Sequence, residues 1–264
     1  MVSRRQAIRY ALTRGVSPSI IHCELTHLER SAIDVDLAAE QHRVYEALLA
    51  ECGCRILRLA EEPDLPDSVF VEDTAVVVDE LGIIARPGAD SRKPEIRSVA
   101  DALRPYRNLV FIEAPGTLDG GDVLCVGKKL YVGRSERTNS EAVDQIREIL
   151  RPFGYGVSAV DVEGCLHLKS AVTQVDTGFL LVQPEWVDVD RFAGLGKIHV
   201  DPEEPFAANA LSVGGTVVFP SAFPRTKKRL EDQGIRVQTV DLSELAKAEG
   251  AVTCCSIVFN APGG

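Results

Sequence analysis

Residues 118–126 read Leu-Asp-Gly-Gly-Asp-Val-Leu-Cys-Val, a polar, glycine-containing cluster that runs straight into a short apolar strand. Four similar polar clusters occur elsewhere along the chain, each followed by an apolar, β-rich run. The markers Glu72, Gly120, His167, Asn209 and Cys254 follow one another at steps of 48, 47, 42 and 45 residues. A nearly constant period of about 20–50 residues is typical of a repeat architecture, so the chain is predicted to fold as five equivalent modules.

Four of the clusters lead into predicted β-hairpins, in which two β-rich runs flank a glycine-containing turn. The paired runs are residues 74–78 with 83–85, 123–126 with 130–132, 170–175 with 179–182, and 211–213 with 216–219. The fifth module has a single predicted strand, residues 255–259. Its predicted partner is the segment 10–14, which would close the modules into a ring.

Helical patterns lie between the hairpins, and the fold class is therefore predicted to be α/β. The predicted helices span residues 37–52, 95–103 and 140–153, and a weaker one follows Phe223. Gly53 is the predicted stop of the first helix, and Ser140 is the predicted cap of the third. Further strands are predicted at residues 55–59, 109–112, 157–160, 197–200 and 237–240. Since no linker divides the sequence, residues 1–264 are expected to form a single domain.

Composition limits the classes of partner. The formal net charge of −10 argues against nucleic-acid binding, which needs clustered basic side chains. No stretch approaches 18 uninterrupted apolar residues, and the N-terminal residues lack the apolar region of a secretory signal, so neither a membrane span nor secretion is expected. Seven cysteines, an odd number, favour reduced thiols in the cytoplasm.

Five modules around one axis would bring their equivalent ends to one place. That arrangement gathers Glu72, Asp73, Asp119, His167 and Cys254, although they are far apart in sequence. Taken alone, each is more typical of a turn or of a buried core position. Together, a cysteine and a histidine in one intracellular protein are a candidate nucleophile–base pair.

The neighbouring cysteine is expected to face elsewhere. Successive side chains of a strand point to opposite sides, so only one of Cys254 and Cys255 should enter a shared site. Adjacent cysteines also do not match the usual spacing of zinc ligands. Cys52-Gly53-Cys54 is interpreted in the same way, as the end of a helix.

Several carboxylates that converge on one pocket repel each other unless a cation lies among them. A planar guanidinium offers five N–H donors and matches carboxylates in a bidentate manner. Arg92 and Arg137 follow the first two hairpins at matching offsets and could hold a substrate carboxylate, although surface arginines are common. Carboxylates at one end and arginines at the other describe a zwitterionic amino acid with a guanidino tail.

Motifs across residues 10–260 carry a resemblance to a known family. They are the segments Leu-Pro-Asp-Ser-Val-Phe-Val-Glu-Asp at 65–73, Arg-Pro-Gly at 86–88, Thr-Leu-Asp-Gly-Gly-Asp-Val-Leu at 117–124, Arg-Thr-Asn at 137–139, Leu-His-Leu-Lys-Ser at 166–170 and Thr-Cys-Cys-Ser at 253–256. In this order and spacing, the chain resembles the dimethylarginine dimethylaminohydrolases. These belong to the guanidine-modifying superfamily, which includes arginine deiminases and amidinotransferases.

The resemblance implies a five-bladed α/β propeller with pseudo-fivefold symmetry and a central active site. It implies that Cys254 is the nucleophile, that His167 is the general acid and base, and that Asp119 supports His167. It places Leu25, in the polar stretch 23–30, at a mobile lid position over the substrate. No metal and no organic cofactor is implied.

For the substrate, the resemblance implies that Asp67, Glu72 and Asp73 bind the guanidinium and that Arg92 and Arg137 clamp the carboxylate. The implied reaction is hydrolysis of an Nω-methylated arginine to citrulline and a methylamine through a covalent cysteine thiouronium. A small guanidino amino acid is thus the expected partner, and a homodimer is possible.

Three alternatives stay open at this point. The same residues could hydrolyse arginine, citrulline or another guanidino or ureido compound. A binding module could keep the fold without turnover, although it would need neither Cys254 nor His167. An amidinotransferase would need a second amine substrate, which the short chain and small loops disfavour.

Overall fold

The structure is a computed structural model that describes residues 7–262, and its strands form five three-stranded sheets. The strands are β1 (Ala7–Arg14), β2 (Cys54–Leu59), β3 (Ala75–Val77), β4 (Leu81–Ile84), β5 (Asn108–Phe111), β6 (Val123–Val126), β7 (Lys129–Arg134), β8 (Gly156–Asp161), β9 (Val172–Asp176), β10 (Phe179–Val182), β11 (Gly196–His199), β12 (Leu211–Val213), β13 (Thr216–Pro220), β14 (Val237–Val240) and β15 (Ile257–Pro262). The sheets are β15-β1-β2, β3-β4-β5, β6-β7-β8, β9-β10-β11 and β12-β13-β14.

Every sheet has the same pattern of an antiparallel pair followed by a parallel third strand. In the third sheet of the ring, β6 pairs antiparallel with β7, and β7 pairs parallel with β8. The tight turn between β6 and β7 contains Gly127 at φ +60°, a left-handed conformation that glycine adopts without a steric penalty. The parallel strand needs a crossover, which the intervening helix provides. The expected five-bladed α/β propeller is confirmed.

The ring closes between the two ends of the chain. β1 pairs antiparallel with β15, with Tyr10 opposite Phe259, and parallel with β2, with Tyr10 opposite Arg55. The predicted partnership of the N- and C-terminal segments is therefore confirmed. The predicted start of the last strand at residue 255 is wrong, because the chain stays in a turn until Ser256 and β15 begins only at Ile257.

Helices connect the strands, and the four longer ones differ from the prediction mainly at their ends. They are α1 (Val35–Glu51), α2 (Ile96–Leu103), α3 (Ser140–Leu150), α4 (Leu168–Ala171), α5 (Pro224–Asp232) and α6 (Ser243–Ala246). The cap of α3 is Asn139 instead of Ser140, because the Asn139 side chain accepts the N–H of Ala142 at 3.1 Å. The third hairpin begins at residue 172 instead of 170, since α4 occupies the preceding positions.

Apolar side chains fill the spaces between neighbouring blades. In one such cluster Ile83 of the second blade packs with Val132 of the third and with Ile146 and Leu150 on one face of α3. This packing fixes the blades relative to one another, so the polar clusters at their ends are held at fixed places. Among residues 7–262, no helix has both the length and the apolar character that a membrane span needs.

Candidate active site

The polar clusters of the blades meet at a small cavity. Seven of the nine residues predicted for the site line it, namely Asp67, Asp73, Arg92, Asp119, Arg137, His167 and Cys254. The other two lie beside lining residues, since Leu25 follows Glu24 and Glu72 precedes Asp73 in the chain. Four of the five residues that the repeat was expected to gather therefore line one cavity, namely Asp73, Asp119, His167 and Cys254.

Residues 252–255 form a turn, so Cys254 and Cys255 do not lie in the strand that the sequence predicted. Cys254 lines the cavity, and its backbone N–H donates to Ala251 O at 3.2 Å. Cys255 is fully buried in an apolar core cluster, where its thiol lies 3.6 Å from Ala251 O. The prediction that the two thiols face different surroundings is confirmed, but the turn is the reason and strand alternation is not.

The environment of Cys254 favours the neutral thiol. Burial raises its pKa most, and the nearby carboxylates of Glu72 and Asp73 raise it further, to about 12. Backbone and side-chain contacts, among them the charge of Lys169, oppose this rise only in part. A thiol in this setting is a weak nucleophile until a positive charge comes close to the sulfur.

His167 stands immediately before α4 and touches two carboxylates. Its Nε2 lies 3.1 Å from Asp119 Oδ2, and its Nδ1 lies 3.8 Å from Asp73 Oδ1. Burial acts to lower the pKa of His167, but the charges of Asp73, Asp119 and Asp122 outweigh it and raise the pKa to about 9. The imidazole therefore carries a proton at neutral pH. Asp122 also accepts the N–H of Leu168 at 2.9 Å, which fixes the backbone next to the histidine.

The two glycines of the segment 119–122 make this approach feasible. A Cβ atom at Gly121 would lie 2.7 Å from both Asp73 Oδ1 and His167 Nδ1. A Cβ atom at Gly120 would lie 2.0 Å from the carbonyl oxygen of Glu72. Any side chain at either position would push the second, third and fourth blades apart at the site.

Glu72 belongs to a hydrogen-bond network that joins four of the polar clusters. Lys169 Nζ lies 2.5 Å from Glu72 Oε1, and Thr253 Oγ1 donates to Glu72 Oε2 at 2.6 Å. Asn209 Nδ2 donates to Thr253 Oγ1, and Thr253 N–H donates to Asn209 Oδ1, both at 3.0 Å. Because Thr253 precedes Cys254, the network holds the turn that carries the cavity thiol. Lys169 and Thr253 lie within the sequence motifs, but no role was predicted for them.

Arg92 is buried and makes several ionic contacts within the protein. Its Nη1 donates to Asp73 Oδ2 at 2.6 Å, and its Nη2 donates to Glu95 Oε2 at 2.9 Å and to Phe70 O at 3.0 Å. Arg92 and His167 together lower the pKa of Asp73 below its usual range, against the effect of burial. Arg92 thus keeps Asp73 ionised and also lines the cavity.

The stretch 23–30, here called the lid segment, runs along the cavity. The N–H of Glu24 donates to Asp67 Oδ2 at 3.1 Å, and Arg137 Nη2 donates to Thr26 Oγ1 at 2.9 Å. Leu25 itself is half-buried and packs against an apolar core cluster. The segment therefore contacts residues predicted for both ends of a substrate.

The lining also includes Phe70, Leu166 and the loop 248–250, which the sequence did not predict. The path of the backbone brings these residues to the cavity. The apolar side chains of Phe70 and Leu166 do not by themselves indicate a catalytic or binding role. Phe70 and Leu166 do lie within the motif segments 65–73 and 166–170, which is the signal that could have identified them.

Three groups of the cavity could in principle ligate a metal ion. Asp73, Asp119 and His167 each present a ligating atom, and these atoms lie within 4.8 Å of one another. A ligating histidine must be neutral. Arg92 and the protonated His167 already compensate the two carboxylates, so the arrangement favours a proton over a metal ion.

Fold and cavity together define a class of protein, namely a five-bladed α/β propeller with a cysteine, a histidine and carboxylates at its centre. Two curated relatives are N(G),N(G)-dimethylarginine dimethylaminohydrolases. The Streptomyces coelicolor protein is 40% identical over 94% of this chain and 95% of its own length. The Pseudomonas aeruginosa protein is 37% identical over 86% and 90%. This chain belongs to the dimethylarginine dimethylaminohydrolase family. No family model matches the sequence.

Solved structures give the same relationship. A cysteine-to-serine mutant of the Pseudomonas aeruginosa enzyme complexed with citrulline superposes with a TM-score of 0.92, at 34% identity, over 96% of this chain and 100% of that one. A dimethylarginine dimethylaminohydrolase with a histidine-to-glycine change, an adduct with S-methyl-L-thiocitrulline, gives 0.90 at 34% identity over the same shares. The N-terminal domain of a cyanobacterial arginine dihydrolase gives 0.82 at 19% identity, over 95% of this chain and 97% of that domain, and shares the fold.

Proposed function

We propose that this protein hydrolyses an Nω-methylated arginine to citrulline and a methylamine, with Cys254 as nucleophile and His167 as general acid and base. The observation that carries the proposal is the single cavity that holds Cys254, His167 and the carboxylates. The relatives named above are dimethylarginine dimethylaminohydrolases, and two of their structures hold citrulline or a thiocitrulline adduct.

The carboxylates suit a guanidinium. Asp67 has its pKa raised by burial, and among its oxygens Oδ2 accepts the N–H of Glu24. A cation next to Asp67 would stabilise its ionised form. Glu72 and Asp73 are already paired with Lys169 and Arg92, yet each carboxylate oxygen can accept more than one hydrogen bond. The three residues would therefore hold the guanidinium against Cys254.

The opposite end of the substrate would meet Arg137 and Arg92. Arg137 is half-buried and reaches the lid segment through Thr26, so it lies where a carboxylate could take the place of the threonine hydroxyl. Arg92 holds Asp73 in place, and a spare donor on its Nη1 could also reach the ligand. Leu25, on the lid segment, would help to cover the bound amino acid.

The first step forms a covalent intermediate. The positive substrate lowers the cost of ionising Cys254, whose proton passes to solvent, and the thiolate attacks the central guanidinium carbon. His167 gives its proton to the methylated nitrogen, the carbon–nitrogen bond breaks, and a neutral methylamine leaves. The product on the enzyme is a positively charged thiouronium. A covalent intermediate divides one difficult displacement into two easier steps.

The second step uses the histidine that the first step left neutral. His167 takes a proton from water, and the resulting hydroxide attacks the thiouronium carbon. The carbon–sulfur bond then breaks, the thiolate of Cys254 departs, and the hydroxyl proton passes to that thiolate, which gives the ureido group of citrulline and restores the thiol. Asp119 keeps the imidazole in place during both steps through its contact with Nε2.

The test is a substrate screen with product identification. Purified protein is incubated separately with asymmetric dimethylarginine, monomethylarginine, arginine, citrulline and agmatine, and citrulline, amine and ammonia are measured. We expect citrulline and dimethylamine in equal amounts from dimethylarginine. Turnover of arginine or citrulline alone would replace the proposal by another guanidino or ureido hydrolase. Binding without turnover would indicate a binding module, and product formed only with an added amine would indicate an amidinotransferase.

Two cysteine variants form a matched pair for this screen. Cys254→Ser should lose turnover by orders of magnitude, because serine cannot supply the thiolate. Cys255→Ser should leave a folded, active enzyme, since Cys255 faces the apolar core. An inactive Cys255→Ser with an active Cys254→Ser would overturn the assignment.

The setting of the protein is a further part of the proposal. All seven cysteines are free thiols, which suits a reducing compartment such as the cytoplasm. The whole chain is proposed to form one catalytic domain, since the ring needs both ends to close. A homodimer stays an expectation, which sedimentation equilibrium would test.

A further inference from the structure

The lid segment is held most strongly by one side chain that the reaction does not use. The carboxylate of Glu249 accepts three consecutive backbone N–H groups of the lid segment. Its Oε1 lies 3.1 Å from Thr26 N, 2.6 Å from His27 N and 2.7 Å from Leu28 N, and its Oε2 lies 3.2 Å from Thr26 N. Hydrogen bonds to an ionised acceptor are among the strongest in proteins.

The backbone at Glu249 gives a second, independent observation. Glu249 follows α6 with φ +58°, and it is the one non-glycine residue in residues 7–262 with a positive φ. This left-handed position at a helix end is usually taken by glycine. A non-glycine residue whose backbone is held in this conformation is a candidate for a functional role. The next residue, Gly250, is equally constrained, because a Cβ atom there would lie 2.2 Å from Phe70 Cε1.

Glu249 also lies at the boundary of two spaces. It lines the active-site cavity and a neighbouring apolar cavity of about 310 Å³, whose wall contains His27 and Leu28 of the lid segment. The carboxylate thus joins the loop before Cys254 to a segment more than 220 residues away in sequence. Release of the three N–H groups would free the lid segment from the loop 248–250.

We propose that Glu249 is the residue that latches the lid segment closed over the active site. It acts as a positioning residue: it fixes the backbone of Thr26, and with it the contact between Thr26 Oγ1 and Arg137. The kinetic part of this inference rests on the proposed function, whereas the structural part does not. With the latch intact, the closed lid segment is the stable state before substrate binds.

Loss of the three hydrogen bonds to Glu249 should weaken substrate binding. When the lid segment opens, the N–H groups of Thr26, His27 and Leu28 exchange a carboxylate for water. Removing the negative charge of Glu249 therefore favours the open form. An open lid segment leaves bound substrate more exposed to solvent, so substrate should bind less tightly while the chemical step at Cys254 changes little.

The test measures the lid segment directly by amide hydrogen exchange in the ligand-free protein. Glu249→Gln keeps the size of the side chain and removes its charge. Glu249→Gly removes the side chain and relieves the positive φ. Glu51→Gln, at the exposed end of α1, is the control for loss of one charge.

We expect exchange at Thr26, His27 and Leu28 to accelerate about tenfold or more in both Glu249 variants, as the loss of charge-assisted hydrogen bonds implies. The amide of Arg104, which donates to Ala100 O far from the lid segment, should exchange at the wild-type rate and serves as the internal reference. Glu51→Gln should match the wild type throughout. Wild-type exchange at the three amides in Glu249→Gln would overturn the latch, even if Glu249→Gly failed to fold.

Steady-state kinetics supply the second readout. Both Glu249 variants should raise KM for dimethylarginine about tenfold and change kcat less than threefold, as expected when binding is weakened without loss of the chemical groups. A fall in kcat with unchanged KM would overturn the positioning role. If the wild type turned over no methylated arginine, the proposed function would fail, and the exchange data would still decide the latch.

Discussion

At the scale of single residues, the cavity of the free protein holds a protonated His167 and a neutral Cys254 thiol, and the thiol needs substrate to ionise. His167 is surrounded by carboxylates and keeps its proton up to a pKa of about 9, although burial opposes this. Cys254 stays a thiol, because burial and the nearby carboxylates of Glu72 and Asp73 raise its pKa to about 12. A guanidinium bound among Asp67, Glu72 and Asp73 would supply the positive charge that the thiolate lacks.

The thiol of the free enzyme should therefore resist ionisation and alkylation. We expect an ultraviolet titration of the wild type, with Cys254→Ser subtracted, to show no thiolate from Cys254 below pH 8. Neutral haloacetamides should inactivate the enzyme slowly at pH 7, and amidine-bearing electrophiles should act faster because they bring a cation. A Cys254 pKa well below 7 would contradict substrate-assisted ionisation.

The sequence predicted which of these residues converge better than it predicted their contacts. Cys254, His167 and Asp119 occupy equivalent positions in the repeat, so the repeat period alone was sufficient to predict their convergence. The partners of Arg92 could not be predicted, because Glu95 and the carbonyl of Phe70 are unremarkable in sequence. The role of Glu249 depends on three backbone N–H groups, which no side-chain pattern reveals.

At the scale of elements, hairpins and turns place the reactive groups. The periodic apolar runs were sufficient to predict the strands, because burial of one face enforces alternation. The turn at Cys254 and the cap at Asn139 were mispredicted, because each depends on a local hydrogen bond that competes with strand or helix propensity. Gly120 and Gly121 show the opposite case, in which a turn signal also marks a close approach between blades.

The loop after β7 carries Arg137 to the lid segment, and this gives a prediction for substrate binding. Arg137→Ala should raise KM for dimethylarginine at least tenfold with little change in kcat, since a contact made equally in ground and transition states affects binding alone. Steady-state kinetics measure the split, and Arg134→Ala serves as control because Arg134 is exposed and pairs with Asp161 on the surface. Equal turnover of agmatine, which lacks a carboxylate, would contradict the clamp.

At the scale of the whole molecule, closure of the ring makes the site depend on all five blades. β1 and β15 come from opposite ends of the chain, and the cavity takes residues from both halves. The repeat period predicted this architecture, because equivalent segments can bury their apolar faces only against neighbours. Unfolding should consequently be a single cooperative transition, in line with one domain.

The buried His167 should make that transition depend on pH. Its pKa is raised from 6.5 to about 9 in the folded state, so its stabilisation is fully present below pH 6.5 and is lost as pH rises through 9. The contribution is at most about 3 kcal/mol in the free energy of unfolding. Urea unfolding between pH 6.5 and 9.5 should show this decline, and His167→Gln should flatten it. If the free energy of unfolding fell equally with pH in the wild type and in His167→Gln, a group other than His167 would be responsible for the decline.

Mass spectrometry of enzyme quenched in acid during turnover of asymmetric dimethylarginine tests the covalent reaction most directly. The account predicts a population of enzyme heavier by the mass of dimethylarginine less that of dimethylamine. Proteolytic digestion should place this added mass on the peptide that contains Cys254, and Cys254→Ser should show none. Full turnover to citrulline without any adduct under trapping conditions, or an adduct on another cysteine, would contradict the account.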